Sequence, residues 1–305
     1  MKKICVIGSI NSDLVASADR FPKPGETLIG KEFNTFPGGK GSNQAVAAGR
    51  LGADVRMIGK VGADLYGEQN LNNLRENGVN TGGVGIEPGI STGIAVIEVD
   101  GAGENHILII PGANNLVDSR FIDKRWEYML EGDIFLIQLE IPIDTVLYTV
   151  KKLKENQKTV VLDPAPARVL PDEIYQCIDY ITPNETEIGL ITSTKAATGT
   201  GWKTAAANLL KKGVDAVLLK AGKNGAYIIR ENEFLHVPGF PVKAIDTTGA
   251  GDTFNAAFAV SLAQGKDLPE SVRFANAAGA LSVTAKGAQS AMPTLAAVEL
   301  FLKSH

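Results

Sequence analysis

The stretch that decides the fold reads DIFLIQL at 133–139, IDTVLYTVKKLKE at 143–155 and TVVLD at 159–163. The outer two segments are short apolar runs of the kind found in buried strands, and the middle segment is typical of a helix. A strand, a helix and a strand in this order form a parallel crossover unit. The sequence therefore predicts an α/β fold with helices on both faces of a mostly parallel central sheet.

The same alternation extends in both directions along the chain. Segments 12–36 and 92–112 are different, because they are rich in turns and alternate polar with apolar residues; we interpret them as a small β lid or an oligomer surface on a single domain, 1–305. The remaining predicted strands are 4–8, 54–59, 94–99, 106–110, 179–182, 215–220 and 226–230, and the remaining predicted helices are 44–51, 66–77, 203–212, 252–263, 268–285 and 295–303.

Composition excludes several classes of protein. The 305 residues carry a formal charge of -4, which makes nucleic acid an improbable partner. Two cysteines and three histidines are too few for a disulfide framework or a structural zinc site. The apolar run at 4–7 is too short for a secretory signal, and no segment approaches the length of a membrane span, so we expect a cytoplasmic protein without membrane contact.

A candidate phosphate site lies at 245–254, IDTTGAGDTF, just before a predicted Ala-rich helix. The small residues Gly249, Ala250 and Gly251 allow a tight turn whose N–H groups converge on an anion at a helix N-terminus. Asp252 could then accept a proton from an attacking hydroxyl. The alternative is an acid that only favours the helix dipole. The chain has neither a Walker loop nor a dinucleotide fingerprint after its first strand, which disfavours those nucleotide-binding classes.

Polar residues follow the ends of other predicted strands, where open α/β sheets bind ligands. Asn11 and Asp13 suit sugar hydroxyls, with an Asx-turn as the alternative. Glu140 follows the strand at 133–139, and a surface acid is its alternative. The loop at 38–44, GGKGSNQ, lets backbone approach a ligand closely and offers donors from its lysine and asparagine, and Ser42 or Asn43 is expected to cap the following helix.

Two further segments fit a nucleotide and its metal. Asn184 and Glu187 share a helix face and could reach phosphate or hydrated Mg²⁺, or could form a capping box. The segment at 220–225, KAGKNG, is a glycine-punctuated turn that could meet a nucleotide or simply connect a β-hairpin. Five such segments at predicted strand ends make a shared ligand site the better interpretation.

With these motifs the chain resembles the ribokinase family of carbohydrate kinases from end to end. The segments at 38–44 and 246–254 are similar to the two signatures of that family, and those at 163–167 and 182–187 resemble its ribose kinases more than its fructose or nucleoside kinases. The resemblance implies a three-layer sandwich with a β lid that often forms a homodimer interface. It also implies transfer of phosphate from ATP to the 5-hydroxyl of D-ribose.

The resemblance further implies roles for individual residues. Asp252 would be the base, and Gly249, Ala250 and Gly251 would form the anion hole. Sugar would be held by Asn11, Asp13, Gly39, Lys40, Gly41, Ser42, Asn43, Glu140 and Asp252. ATP would be held by Asn184, Lys220, Ala221, Gly222, Lys223, Asn224, Gly225, Gly251 and Asn276, with Mg²⁺ near Glu187.

A monovalent cation site is implied in the same way, usually for potassium. Its matching positions are Asp246, Thr248, Ser282, Ala285 and Gly287. Two positions depart from the family pattern: Ala291 stands where a serine is usual, and Asn276 where a histidine is common. The first departure could weaken cation affinity, and the second could shift nucleotide preference.

The sequence leaves other hypotheses about the function open. The acceptor could be deoxyribose, fructose or a nucleoside. A catalytically silent sugar or nucleotide sensor is disfavoured by the intact GAGD at 249–252. An oxidoreductase is disfavoured by the missing dinucleotide fingerprint.

Overall fold

A central sheet of nine strands runs through the part of the chain that the structure, a computed structural model, describes: residues 2–194 and 199–305. Elements are numbered in chain order. In spatial order the sheet consists of β13 (Glu233–Val237), β12 (Ala226–Arg230), β11 (Ala216–Lys220), β10 (Tyr180–Ile181), β9 (Thr159–Leu162), β8 (Ile134–Ile137), β1 (Ile4–Ile7), β4 (Val55–Gly62) and β5 (Val79–Glu87). From β11 to β5 every pair is parallel, and only β12 and β13 are added antiparallel.

Helices cover both faces of this sheet, which gives three layers. One core packs α1 (Lys40–Arg50), α2 (Leu65–Glu76), α8 (Ala250–Ala263), α9 (Leu268–Ser282) and α10 (Leu295–Ser304). The other packs α3 (Ser119–Asp123), α4 (Trp126–Leu130), α5 (Ile143–Glu155), α6 (Glu185–Thr192) and α7 (Gly199–Lys211). The predicted three-layer α/β architecture is confirmed.

Strand β1 shows how the sequence builds the two cores. Ile4 and Val6 belong to the core with α1 and α8, and the alternate residues Cys5 and Ile7 belong to the other core. All four are fully buried, as expected for a central strand of a parallel sheet.

A second sheet of four strands stands apart from the central one. It orders β3 (Glu32–Gly38), β2 (Asn11–Ser17), β6 (Gly93–Val99) and β7 (Asn105–Ile110). We call these four strands the small sheet. They largely coincide with the two predicted turn-rich segments, although β2 begins one residue before 12–36 and β3 ends two residues after it. Strands β6 and β7 pair antiparallel across the turn at 100–103.

Two strands were not predicted. Strand β5 reads VNTGGVGIE, a glycine-rich stretch without the apolar run that marks the predicted strands. Gly83 allows close packing there, because a Cβ on this residue would lie 2.7 Å from the Met57 carbonyl oxygen and 3.0 Å from the Tyr128 ring. Strand β13 is a short edge strand that pairs only with β12.

The ends of two helices also differ from expectation. Helix α1 begins at Lys40, so Ser42 and Asn43 lie inside it and the expected cap at either residue is wrong. Its N-cap is Gly39 at φ 86°, a conformation that glycine adopts without strain. Helix α9 ends at Ser282 rather than 285. Among the described residues, no helix is both long and apolar enough to cross a membrane.

Candidate active site

The first turn of α1 packs against the end of β1. A Cβ on Gly41 would lie 2.7 Å from backbone atoms of Gly8 and Ser9, so only glycine fits without displacement. Ser42 also faces inward, because it is fully buried and its Oγ accepts a hydrogen bond from Gln289 Nε2 at 3.0 Å. Gly41 and Ser42, both predicted to hold sugar, thus make packing contacts in this structure.

The candidate phosphate site lies at the N-terminus of helix α8. Gly249 is its N-cap in the left-handed region at φ 74°, and Asp252 lies in the first turn, as expected. The N–H groups of a first helical turn have no partner within the helix, and they favour an anion. One of the three predicted donors is engaged, since Ala250 N donates to Thr247 O at 3.2 Å.

The Asp252 carboxylate is buried and held on both oxygens by α1. Asn43 Nδ2 donates to Oδ2 at 2.9 Å, and Gln44 Nε2 donates to Oδ1 at 3.1 Å. Burial raises the pKa of Asp252, and the Lys40 ammonium opposes that rise. In return the Asp252 charge raises the pKa of Lys40. The arrangement provides a carboxylate with raised proton affinity in a low-dielectric pocket, as a general base requires.

Asp163 is a second buried acid near Asp252. It was not among the predicted site residues. It follows β9 and is 2% exposed. Lys220 Nζ, from the end of β11, donates to its Oδ1 at 3.0 Å, and Gln44 Nε2 donates to its Oδ2 at 3.0 Å. Gln44 therefore bridges two carboxylates, and Lys220 is anchored as a counter-charge.

Asp13 and Glu140 lie on the sugar side of the predicted site. Glu140 Oε2 accepts hydrogen bonds from Ser9 Oγ at 2.5 Å and from Lys40 N at 3.0 Å. Burial, with the charges of Glu140 and Asp252, raises the pKa of Asp13 to about 6. The mutual influence of these carboxyls means that residues predicted from three distant segments share one site.

Asn11 is fixed by a residue that the sequence did not reveal. Its Oδ1 accepts a hydrogen bond from Asn114 Nδ2 at 2.7 Å, and both side chains are buried. Asn114 also accepts from Ile10 N at 2.9 Å. Asn114 lies in a 3₁₀ turn, Gly112–Leu116, more than a hundred residues away, so no local pattern announces the contact.

A polar cavity of about 480 Å³ joins the acids to the predicted nucleotide segments. Its walls include residues from α1, α6, α8 and the ends of β9 and β11. They are Lys40, Asp163, Ala165, Asn184, Glu185, Thr186, Glu187, Lys220, Gly222, Thr247, Gly249, Gly251 and Asp252. Two lysines and a helix N-terminus in one cavity form a suitable place for phosphate groups.

A larger cavity of about 960 Å³ continues from the first, and the two share Lys220, Gly222, Thr247 and Gly251. Apolar side chains such as Phe240, Phe254 and Val283 line it, together with the β11–β12 turn at 222–225. This second cavity has the apolar lining and length that suit a nucleoside.

Asn276 lies on the wall of this larger cavity, as predicted. Its Nδ2 donates to the carbonyls of Val237 and Pro238 at 3.0 and 3.2 Å, which fixes the amide. The 220–225 segment is both the predicted hairpin turn, since β11 and β12 pair antiparallel, and a cavity wall.

Asn184 and Glu187 form the predicted capping box at the start of α6. Asn184 Oδ1 accepts from Glu187 N at 2.8 Å, and Glu187 Oε2 accepts from Asn184 N at 2.7 Å. Both residues line the polar cavity, so capping holds them in place without removing them from it. No cluster of three or more His, Cys, Asp or Glu side chains able to hold a metal occurs within residues 2–194 and 199–305.

The predicted cation residues come from two segments that the structure holds together. Ile245 N donates to Val283 O at 2.7 Å, and Gly287 N donates to Asp246 Oδ2 at 2.9 Å. Although burial alone would raise it, hydrogen bonds from Thr248 and Gly287 keep the pKa of Asp246 below its ordinary value. An ionised carboxylate thus lies beside the backbone of 283–287.

Comparison with known proteins agrees with this geometry. A family model described as pfkB family carbohydrate kinase matches residues 1–295. The chain belongs to this family. A carbohydrate kinase replaces the oxidoreductase and dinucleotide-dehydrogenase readings that the sequence left open.

Relatives cover nearly the whole chain. A ribokinase of Bacillus subtilis is 43% identical over 302 residues, spanning 99% of this chain and 100% of the relative. A deoxyribokinase of Salmonella typhi is 38% identical over 96% of each chain. The solved structure of Arabidopsis thaliana ribokinase complexed with ribose and ATP superimposes with a TM-score of 0.95 at 35% identity, covering 99% of each chain.

The raised pKa of Asp13 predicts a pH-dependent stability. The folded chain binds this proton more tightly than the unfolded chain, so the contribution of Asp13 to stability is most favourable below pH 3.8 and is lost as the pH rises through about 6. Asp13→Asn removes that loss, and we expect it to raise the free energy of unfolding at pH 7.5 by up to about 3 kcal/mol.

Urea unfolding of both proteins between pH 4 and 8 measures this effect. The advantage of the variant should shrink steadily below pH 6. Asp19→Asn, at a carboxylate 79% exposed, is the control and should leave the curve almost unchanged. An Asp13→Asn protein no more stable than the wild type at pH 7.5 would refute the desolvation argument.

Proposed function

We propose that this protein transfers the γ-phosphoryl group of ATP to the 5-hydroxyl of D-ribose and forms D-ribose 5-phosphate. The observation that carries the proposal is the buried Asp252 carboxylate at the start of α8, one residue after the Gly249–Gly251 turn and beside the polar cavity. The ribokinase relatives, and the solved relative named as a complex with ribose and ATP, support ribose as the acceptor.

In this mechanism Asp252 accepts the proton of the sugar hydroxyl as that oxygen attacks phosphorus. Phosphoryl transfer has a loose transition state, so positioning and charge stabilisation supply most of the catalysis. The N–H groups around Gly249–Gly251 would stabilise the charge that develops on the transferred group. Lys40 and Lys220, both in the cavity wall, add positive charge.

Sugar recognition would use the backbone of Gly39 and polar side chains that converge from three segments: Asn11, Asp13, Lys40, Asn43 and Glu140. Carboxylates accept hydrogen bonds from sugar hydroxyls best when ionised. Asp13 would therefore bind sugar more weakly below its raised pKa of about 6. Asn43 contacts the base as well, because it donates to Asp252.

ATP would extend from the polar cavity into the larger apolar one. Its phosphates would lie near Asn184, Lys220 and Gly251, and its base near the 221–225 turn and Asn276. The acids Asp163 and Glu187 in the polar cavity fit Mg²⁺, which proteins usually hold through one or two carboxylates together with substrate phosphates and water. When bound with ATP, Mg²⁺ neutralises phosphate charge.

We propose potassium as an activator held by the two linked segments at 246–248 and 282–287. The ionised Asp246 beside several backbone carbonyls offers the oxygen donors that a large, weakly hydrated cation needs. Ser282 Oγ donates to Gly279 O at 2.9 Å, so its carbonyl oxygen is the expected donor toward the cation rather than its hydroxyl.

The small sheet would serve as a lid on a single domain, 1–305, and as a homodimer interface. Its edge strand β7 is exposed along its whole length. Six large apolar side chains of the sheet are exposed: Phe33, Phe36, Ile107, Leu108, Ile109 and Ile110. An apolar surface of this kind marks an interaction site. With ATP as substrate, we expect the protein to act in the cytoplasm.

Deoxyribose is the second candidate acceptor, because a deoxyribokinase is 38% identical over almost the full length. A coupled ADP-release assay with Mg-ATP and ribose, deoxyribose, fructose or adenosine, with and without potassium, distinguishes the acceptors. We expect ribose to give the highest kcat/KM and potassium to increase it. Fast turnover on another acceptor would overturn the sugar, and ATP binding without turnover on any acceptor would favour a sensor.

The base role predicts a large kinetic loss in Asp252→Asn. General bases contribute about 10²–10⁴-fold, so kcat should fall at least about a hundredfold while ATP and sugar still bind. Steady-state kinetics and titration calorimetry measure the two properties.

Asp267→Asn is the matched control for this variant. Asp267 caps α9 by accepting from Glu270 N at 2.8 Å. Asparagine caps a helix about as well as aspartate, so Asp267→Asn should leave both Tm and kcat almost unchanged. If Asp252→Asn likewise kept its kcat, Asp252 would be only an acid that favours the start of a helix, and the base role would be refuted.

The dimer proposal predicts that one charge on the small sheet separates the subunits. Leu108 is 64% exposed, and Leu108→Glu would place a carboxylate in the apolar interface. Light scattering should then report a monomer where the wild type is a dimer. Leu300→Glu, at a side chain 70% exposed on α10, is the control and should remain dimeric. A monomeric wild type would contradict the proposal.

A further inference from the structure

Two chains of amide side chains, all buried except the half-buried Asn73, end on the two oxygens of Asp252. In the first, Gln138 Nε2 donates to Gln44 Oε1 at 2.6 Å, and Gln44 Nε2 donates to Asp252 Oδ1 at 3.1 Å. In the second, Asn73 Nδ2 donates to Gln289 Oε1 at 2.6 Å. Gln289 Nε2 then donates to Asn43 Oδ1, and Asn43 Nδ2 to Asp252 Oδ2, both at 2.9 Å.

Gln44, Gln289 and Asn43 each accept on the outer side and donate on the inner side, toward Asp252. This common direction matters because an amide can be rotated by half a turn with little change in shape. A rotated Gln44 would point its oxygen at both Asp163 and Asp252, and a rotated Asn43 would point its oxygen at Asp252. The outer donors, Gln138 and Gln289, oppose those rotations.

The burial and hydrogen bonding of Gln138 favour a functional role over a purely structural one. It is fully buried just after β8, and its Oε1 has no hydrogen-bond partner among the described residues. A Cβ on Gly8 would lie 2.0 Å from that oxygen, so a glycine leaves room for the amide. An apolar side chain of the same length would remove this unpaired oxygen and would leave Gln44 Oε1 without its donor, so one unpaired acceptor would replace another.

We propose that Gln138, Gln289 and Asn73 are positioning residues that act on the base Asp252 through Gln44 and Asn43. The inference rests on the proposed function, because it assumes that Asp252 takes the proton. Each relay keeps an N–H group aimed at one carboxylate oxygen, and chains of aligned hydrogen bonds strengthen one another. The carboxylate thereby keeps one orientation toward the acceptor hydroxyl.

The relays also favour the ionised base. Hydrogen bonds donated to a carboxylate stabilise its charged form, which opposes the effect of burial. The charged groups that surround Asp252 come from five elements, and the relays act together with all of them. These groups are Lys40 from α1, Asp163 after β9, Lys220 at the end of β11, Asp13 from β2 and Glu140 after β8.

The first test is Gln138→Met, which removes the outer donor and keeps the length of the side chain. We expect kcat to fall about tenfold, because misplacement of a catalytic group costs up to about a hundredfold. The acid limb of the kcat–pH profile should move to higher pH by about half a unit or more, because the base is protonated more readily. Tm should stay equal or rise. A fall in Tm with an unmoved pH profile would overturn the proposal, as would an unchanged kcat.

A double-variant cycle tests whether the residues act in series. Gln44→Met should be slower than Gln138→Met, and the double variant should match Gln44→Met alone, since Gln138 acts only through Gln44. Effects that multiply would contradict the relay. Asn73→Ala probes the second relay from a half-buried helix position and should shift the pH profile in the same direction, so the proposal remains testable if a core variant misfolds.

Thr149→Val is the matched control, because Thr149 is fully buried on α5 and its Oγ1 also lacks a partner among the described residues. It should keep kcat and the pH profile unchanged. These experiments distinguish the base role of Asp252 from the positioning role of the relays. An inactive wild type, or an active Asp252→Asn, would refute the base itself. A normal Gln138→Met beside an inactive Asp252→Asn would refute only the relay.

Discussion

The burial of the Asp252 carboxylate constrains the rest of the site. A buried carboxylate is costly unless donors and counter-charges surround it. Here α1 supplies both, because Asn43 and Gln44 donate to its oxygens and Lys40 brings a positive charge. This contact requires α1 and α8 to meet on the same face of the sheet, and it requires glycine at 41 so that α1 can approach β1 closely.

The two cavities follow from that arrangement. Asp252 and Gly251 close one end of the polar cavity, and Gly251 also opens into the larger apolar one. A ligand with a polyphosphate and an aromatic base would span both, with its terminal phosphate near the carboxylate. The predicted sugar side contains the carboxyls of Asp13 and Glu140, and the charges of Glu140 and Asp252 act on Asp13. The small sheet contributes Asn11 and Asp13, so it forms part of the predicted sugar site.

Sequence was sufficient where the signal is local. Strands at apolar runs, the turn of small residues before Asp252, the Asn184–Glu187 capping box and the 220–225 hairpin all follow from residues near one another in the chain. The start of α1 was missed because Gly39 caps it without a side-chain bond, and β5 was missed because its glycines serve packing against Tyr128. Asp163, Asn114, Gln138 and Gln289 were missed because their partners lie 57 to 246 residues away, and no local pattern encodes such contacts.

The central claim is that the acceptor oxygen facing Asp252 is the primary hydroxyl of the sugar. Phosphorus–proton correlation NMR of the product formed from ribose and Mg-ATP tests it most directly. The account predicts a phosphate coupled to the two protons of C5. Coupling to the single anomeric proton, or to a secondary ring proton, would show that the sugar binds in another orientation and would contradict the site described here.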